Sequence, residues 1–246
     1  MLYHGARRSE VSNTLIVESQ NDQYFIEALL VHWGFKNLKI DPPICGIDDY
    51  QCLNGLNQKQ LVYTLADWKR DALGESLGNN TKKIGIIIDL DQETPENRLK
   101  LVNSAIQEVF VTELTIPQVN HWITVPVDSE VQVSISCYFM NVDGKGELET
   151  VLKAIKCQKS TYADCLELWR KCITENELKL TDKEFDKFWV SIYHRFDCCD
   201  KKEKYRSEIK CNHEASFKKG IYDFDSPLLQ ELKNFLISLT DQHFMF

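Results

Sequence analysis

Two short acidic runs are the parts of this sequence whose residue types and spacing could do chemistry. In Val17-Glu18-Ser19-Gln20-Asn21-Asp22 the two carboxylates lie about one helical turn apart, and in Asp89-Leu90-Asp91 they are separated by one residue. On an extended chain, alternate side chains point the same way, so Asp89 and Asp91 would share a side. Carboxylates held close together repel one another unless a hard cation with oxygen ligands, such as Mg2+ or Mn2+, neutralises them. A divalent-metal site is therefore the chemistry these runs point to. Each run taken alone also fits a plainer role, with Asp89 and Asp91 capping a following helix and Glu18 solvated in a loop.

The elements that must position these residues follow from hydrophobic periodicity. Thr14-Leu15-Ile16-Val17 reads as a buried strand, and Phe25, Ile26, Leu29, Leu30 and Trp33 recur at helical spacing over Asp22 to Trp33, with Gly34 as the stop. Phe35 to Ile40 alternates as a short strand, and Gln58 to Leu73 carries an amphipathic helix with Leu61, Leu65 and Trp68 on one face. The near-continuous β-branching of Ile84-Gly85-Ile86-Ile87-Ile88 predicts a strand buried on both faces at the centre of a parallel sheet. Thr94 and Pro95 supply the cap and first residue of a helix to about Phe110, Val131 to Phe139 is a further strand, and Gly146 to Ile155 begins a helix.

After Lys156 only helical patterns remain, at Tyr162 to Ile173, Lys183 to Phe196 and Pro227 to Leu239, with a charged stretch from Asp200 to Lys210. The pattern predicts an α/β fold with a mostly parallel, Rossmann-like sheet over residues 1–156 and a helical C-terminal lobe over 157–246 packed on it. In such a sheet, functional groups gather at the carboxyl ends of the strands, where both acidic runs fall.

The run Leu15 to Phe25, followed by Ile86-Ile87-Ile88-Asp89-Leu90-Asp91, resembles the glutamate motif and Asp-x-Asp motif of the Toprim domain shared by topoisomerases, primases and overcoming-lysogenization-defect (OLD) nucleases. Tyr138-Phe139-Met140-Asn141 with Gly146-Glu147-Leu148-Glu149-Thr150-Val151-Leu152 is similar to the Pro-Asn-Asn and Gly-x-Leu-Glu-x-Leu-Leu pattern of a stand-alone Toprim-like branch related to OLD nucleases. Lys219 to Pro227 with Leu232-Lys233-Asn234-Phe235-Leu236 is similar to that branch's terminal segment. The resemblance implies a Toprim core and a metal-dependent endonuclease acting on DNA or RNA, tRNA included. It implies that Glu18 is a metal ligand or general acid/base, that Asp89 and Asp91 hold the metal, that Glu149 completes a second metal site and that Asp22 is an additional ligand. OLD nucleases also use a lysine near the metals. The best match is Lys201, in Asp200-Lys201-Lys202-Glu203-Lys204, a run that otherwise reads as a solvated helix face.

For partners, the resemblance implies the effector of a phage-defence or toxin system paired with a separate ATPase. Neither Gly-Lys-Ser nor Gly-Lys-Thr occurs, so the sequence carries no P-loop of its own. Two departures stand out, Ser19 where the motif usually has Gly and Met140 where the branch has Pro. They motivate an alternative, a catalytically weak Toprim-fold module that binds a partner through its helical lobe, with Trp169, Phe188 and Trp189 as anchors if exposed. A homodimer through the same lobe is compatible with the sequence, although no heptad pattern specifies one.

Composition narrows the classes further. With 246 residues, 43% hydrophobic and 27% charged, the chain is neither disordered nor collagen-like. A formal net charge of −8 gives no whole-molecule positive field, so nucleic-acid contact needs a local patch or a bound metal. Apolar runs such as Ile84 to Leu90 fall far short of the roughly 20 residues that cross a bilayer, and residues 1–8 lack a signal-peptide pattern. The expectation is a cytoplasmic protein with no membrane span, whose nine scattered cysteines are reduced thiols. Cys198, Cys199, Cys211 and His213 contain zinc-ligand types without the usual Cys-x2-Cys spacing. Trp33, Trp68, Trp169 and Trp189 read as core, and His32 and His121 as ordinary core or surface residues.

Overall fold

The structure, a computed structural model, describes residues 13–45, 56–74 and 82–240. β1 (Asn13–Val17) leads into α1 (Gln20–Trp33), which Gly34 ends in the left-handed conformation at φ 71°. β2 (Leu38–Ile40) is shorter than the alternation of Phe35 to Ile40 suggests, because Asn37, also at positive φ (61°), turns the chain first. Then follow α2 (Gln58–Gly74), β3 (Lys82–Asp89) and α3 (Pro95–Phe110), whose Thr94 hydroxyl accepts the Asn97 N–H at 3.3 Å. β4 (Ile123–Pro126) and β5 (Gln132–Met140) complete a sheet of order β2-β1-β3-β5-β4. All neighbours in it run parallel except β4, which is antiparallel to β5. The short edge strand β4 escaped the periodicity reading because it has only four residues and ends in a proline, a residue sheets accept at their edges.

The sheet separates two apolar layers by simple alternation. Ile16, Ile84, Ile86 and Ile88 face α2 and α3, whereas Leu15, Val17 and Ile87 face α1 and the later helices. These later elements are α4 (Leu148–Ala154), α5 (Thr161–Asp164), α6 (Leu166–Glu175), α7 (Asp182–Ile192) with a π-type turn over Tyr193–Asp197, α8 (Lys201–Lys204), α9 (Ser207–Lys210), α10 (His213–Phe217) and α11 (Gln230–Thr240). Phe185, Trp189, Tyr193, Phe217 and Phe235 join the same cluster as Leu15 and Ile87, so the hydrophobic layer crosses Lys156 without a break. A backbone bridge between Lys156 and Tyr222 ties the two sides of that position.

Three expectations need correction. The helical pattern of Tyr162 to Ile173 is broken at Cys165, because Asp197 reaches from the π-type turn to accept the N–H groups of Tyr162 and Ala163 at 2.9 and 3.0 Å, capping a separate short helix. Trp68 and Trp189 are core and Trp33 is partly buried, but Trp169 is 41% exposed, because α6 buries none of its residues. Cys199 and Cys211 are not free thiols, nor part of a zinc set, but form a disulfide across 12 residues with Cα atoms 5.9 Å apart, since α8 and α9 fold the chain back on itself. Cys137, Cys157, Cys165, Cys172 and Cys198 are free. Among the described residues no helix is long and apolar enough to cross a membrane.

α11 lies directly on the central strand, and Gly85 permits it. A Cβ at that position would meet Leu239 Cδ2 at 2.8 Å, Leu15 Cδ1 at 3.0 Å and Phe235 Cζ at 3.1 Å. Gly85→Val is therefore expected to overpack this layer at a cost of about 1–3 kcal/mol. Thermal denaturation should show a lower Tm, by about 2–4 °C per kcal/mol for a chain of this size.

Candidate metal centre

The site begins with register. β1 and β3 pair Val17 with Ile87, and β3 and β5 pair Asp89 with Met140, so three strands end together. The buried Glu18 carboxylate reaches across and accepts the Asp89 N–H at 3.0 Å. Asp89 Oδ1 in turn accepts the N–H of Leu148, the first residue of α4, at 3.1 Å. Beyond the sheet, Asp91 N–H donates to the Gly146 carbonyl at 2.7 Å, and Gly146 N–H returns to the Asp91 carbonyl at 3.0 Å. This bridge holds the loop before α4 against Asp91. Gly146 is required there, at φ 92° and with the Thr150 side chain packed into the space a Cβ would occupy.

Glu147 is thereby delivered beside the aspartates. One carboxylate oxygen each from Asp89, Asp91 and Glu147 lies within 4.8 Å of the others. Glu18, Asp22 and Glu149 fall outside this trio, yet all three are buried close enough to raise the proton affinity of Asp89. Asp22 closes a capping box at the start of α1, its Oδ2 accepting from Ser19 N–H at 2.9 Å and Ser19 Oγ at 2.6 Å. Ser19 thus has a reason to replace Gly, since its φ of −128° is extended and its side chain caps the helix. Met140 closes β5 as a buried strand residue.

Positive charge is supplied from two directions. Asp91 Oδ2 pairs with the buried Arg98 guanidinium, and its Oδ1 meets Lys183 Nζ at 2.6 Å. Lys183 also lies 3.1 Å from Glu147 Oε2, and Lys187, one turn along α7, lies 3.6 Å from the same oxygen. Glu147, at 1% exposure, has its Oε2 held by these lysines and its Oε1 buried without a partner, and Asp22 Oδ1 is likewise buried without one.

Burial and mutual repulsion leave the carboxyl groups reluctant to ionise. Burial, followed by the charges of Asp22, Glu18 and Glu149, pushes Asp89 well above the usual carboxylate range. Burial raises Asp22 to about 7, with Glu18 and Glu149 adding to the effect, and raises Glu147 to about 7, with Glu149 adding. Glu18 and Glu149 are pushed up by burial as well. Lys183 moves so as to hold its proton, because burial lowers its affinity but its hydrogen bond to Asp91 and the Glu147 charge outweigh that. The donor set is all hard oxygen, with unpartnered atoms on Glu147 and Asp22. It therefore fits a divalent cation held by Asp89, Asp91 and Glu147, which would compete with Lys183 for Asp91.

Of the residues singled out in the sequence, Asp89 and Asp91 stand in the trio, while Glu18, Asp22 and Glu149 are buried near enough to act on Asp89. Lys201 opens α8, but its side chain lies outside the described residues. Glu147 was missed because nothing local distinguishes it from Glu149; its signal is the preceding Gly146, whose bridge to Asp91 forms only in the fold. Lys183 and Lys187 were missed as an unremarkable pair spaced four apart on an amphipathic helix.

Fold and site together define an α/β protein with a mostly parallel sheet and an acidic, cation-suited pocket at its strand ends. Over residues 12–241 the chain matches the family described as Protein of unknown function (DUF3226), and it belongs to that family. No curated protein and no solved structure matches it.

The cluster has a thermodynamic signature. Asp22 and Glu147 bind protons up to about pH 7 when folded but only near their ordinary values of 3.8 and 4.5 when unfolded. Their contribution to stability is therefore fully present below about pH 4 and is lost as pH rises through about 7. Mn2+ should raise the Tm most at about pH 8 and progressively less below about pH 7, where protons compete for the same oxygens. Asp89→Asn, which keeps the acceptor for Leu148 N–H, should raise the metal-free Tm at about pH 8 and abolish the Mn2+ response. Differential scanning fluorimetry across pH checks both.

Proposed function

We propose that this protein is a divalent-metal-dependent nuclease of the Toprim type, hydrolysing phosphodiester bonds in DNA or RNA with Mg2+ or Mn2+ at Asp89, Asp91 and Glu147. The observation that carries this reading is the convergence of those carboxylates to within 4.8 Å, with two lysines alongside. A cation bound there supplies an activated water and neutralises charge on the scissile phosphate. Lys183 and Lys187 offer that phosphate the attraction that the carboxylates deny it. Glu18, buried and hydrogen-bonded to the Asp89 backbone, is suited to hold a proton at the site's inner wall. Asp22, with its unpartnered Oδ1, and Glu149 are the oxygen donors for a second ion.

The wider setting rests on the sequence resemblance. We read the protein as the cytoplasmic effector of a phage-defence or toxin system whose ATPase is a separate chain, in line with the lack of a Gly-Lys-Ser or Gly-Lys-Thr motif. One feature favours a second reading, a partner-binding module. Leu168 is 74% exposed on α6, and the rings of Trp169 and Phe188 (42% exposed) sit 5.2 Å apart at the surface, although Trp189 is wholly buried.

The test is incubation of plasmid DNA, single-stranded DNA and tRNA with purified protein in Mg2+ or Mn2+. Wild type should cleave at least one of them, and Asp89→Asn and Glu147→Gln should each lower the rate by about 100-fold or more. Lys183→Met should slow cleavage by at least about tenfold while keeping the metal-dependent rise in Tm. A wild type that cleaves none of the three leaves the partner-binding module as the reading.

A further inference from the structure

A nuclease reading raises a question of charge. The protein carries a net −8 and its proposed centre is lined with carboxylates, so a polyanion must be held by cations elsewhere on the surface. The segment between Cys199 and Cys211 has them. It contains Lys201, Lys202, Lys204, Arg206 and Lys210 against Asp200, Glu203 and Glu208. Two of those acids are already committed: Asp200 Oδ1 accepts the Glu203 N–H at 2.7 Å, and Glu203 Oε2 accepts from Asp200 N–H at 3.1 Å and Lys219 Nζ at 2.9 Å. Among the described residues Lys202, Lys204, Arg206 and Lys210 are exposed and make no salt bridge, although the charge of Lys202 acts on Asp200 and Lys204 stands over the Phe196 ring.

The same segment carries apolar groups that packing does not explain. Tyr205 is 92% exposed and Ile209 67%. Lys204 Nζ stands 5.2 Å above the Phe196 ring, which is itself 5.9 Å from Tyr162, so an aromatic strip continues from the segment's base. The buried Cys199–Cys211 disulfide closes the segment into a loop with a fixed root. That root is attached to the helix that carries Lys183 and Lys187, since the His213 ring, two residues beyond Cys211, packs 4.8 Å from the ring of the buried His194 in the π-type turn that follows α7.

We propose that the disulfide-closed segment 200–210 grips an unpaired nucleic-acid strand, with Tyr205 stacking on a base and Lys202, Lys204, Arg206 and Lys210 contacting phosphates. The proposal rests on the nuclease reading for the strand's path onward into the acidic pocket. An exposed ring flanked by exposed cations outside any salt bridge is the arrangement that holds single strands, because an unpaired base presents a free face whereas duplex bases are already stacked on one another.

The test is fluorescence anisotropy in EDTA, where no metal-dependent cleavage occurs, with labelled single-stranded DNA, RNA of the same sequence and the corresponding duplex. Single strands should bind more tightly than duplex, and the DNA and RNA arms identify the preferred sugar. Tyr205→Ala should weaken single-strand binding by about tenfold while leaving duplex binding unchanged. The Lys204→Glu, Arg206→Glu double variant should weaken all binding and lower the slope of log K against log salt by roughly 0.7 for each single-strand phosphate that the protein no longer neutralises. All three side chains are exposed, so circular dichroism and Tm should match wild type. Single-strand binding that is absent, no tighter than duplex binding, or indifferent to Tyr205→Ala overturns the proposal. Cleavage of the same oligonucleotides in Mn2+ is scored separately. Tyrosine-dependent binding without cleavage would leave the grip standing and sink the nuclease reading, whereas cleavage without tyrosine dependence would do the reverse.

Discussion

Carboxylates buried side by side repel one another with an energy that grows as the surrounding dielectric falls, and the strand ends of this protein are organised around that repulsion. Glu18, Asp22, Asp89, Glu147 and Glu149 are all buried, and each has its proton affinity raised chiefly by that burial. What keeps them together is a set of specific offsets. The backbone supplies N–H donors to Glu18 and Asp89, Ser19 supplies two to Asp22, and Arg98 and Lys183 divide the oxygens of Asp91 between them. Glu147 has its Oε2 held by Lys183 and Lys187 and its Oε1 without a partner. The compensation is incomplete, and what remains is met by protons, which these carboxyl groups hold up to about pH 7, or by a cation for which the oxygen set is suited.

Such an arrangement needs a rigid frame, because like charges relax apart wherever the backbone can yield. The frame is the central strand. β3 is paired on both sides and covered on both faces, and the absence of a side chain at Gly85 lets α11 press against it. The bridge between Asp91 and Gly146 extends the ladder past the end of the sheet, which is how a residue beginning α4 comes to face two residues at the end of β3. α7 then contributes its lysines from the other side, anchored by Phe185, Trp189 and Val190 in the same apolar layer as α1. The charge cluster and the hydrophobic layer are thus two consequences of one packing arrangement.

Much of this was legible in the sequence where a local rule is strong. The β-branched run at Ile84 to Ile88, the Thr94-Pro95 helix start and the Gly34 stop each have one physical interpretation, and each appears as read. Glu18, Asp22, Asp89 and Asp91 could be named because strand ends collect function, and Glu149 only through the resemblance; of the five, Asp89 and Asp91 stand in the trio with Glu147, and the other three are buried near enough to act on Asp89. The rest depends on contacts distant in sequence. Glu147 enters the ligand trio through a bridge formed 55 residues away at Asp91, and Lys183 and Lys187 reach it only because α7 packs on α4. The break at Cys165 comes from a cap supplied by Asp197, and the disulfide from a fold-back between Cys199 and Cys211. Apart from the two cysteines, no short window of sequence holds both members of these pairs.

The measurement that tests the metal centre most directly is an anomalous difference map from crystals of the protein grown or soaked in Mn2+. The expected result is a peak with carboxylate oxygens of Asp89, Asp91 and Glu147 at about 2.0–2.3 Å, and Lys183 Nζ displaced from Asp91 Oδ1. Contrary outcomes are a map with no peak at saturating Mn2+, or a peak elsewhere while Lys183 stays between Asp91 and Glu147. Either would mean that the lysine and arginine are the cluster's full complement of positive charge, and that the strand ends do not form a metal centre.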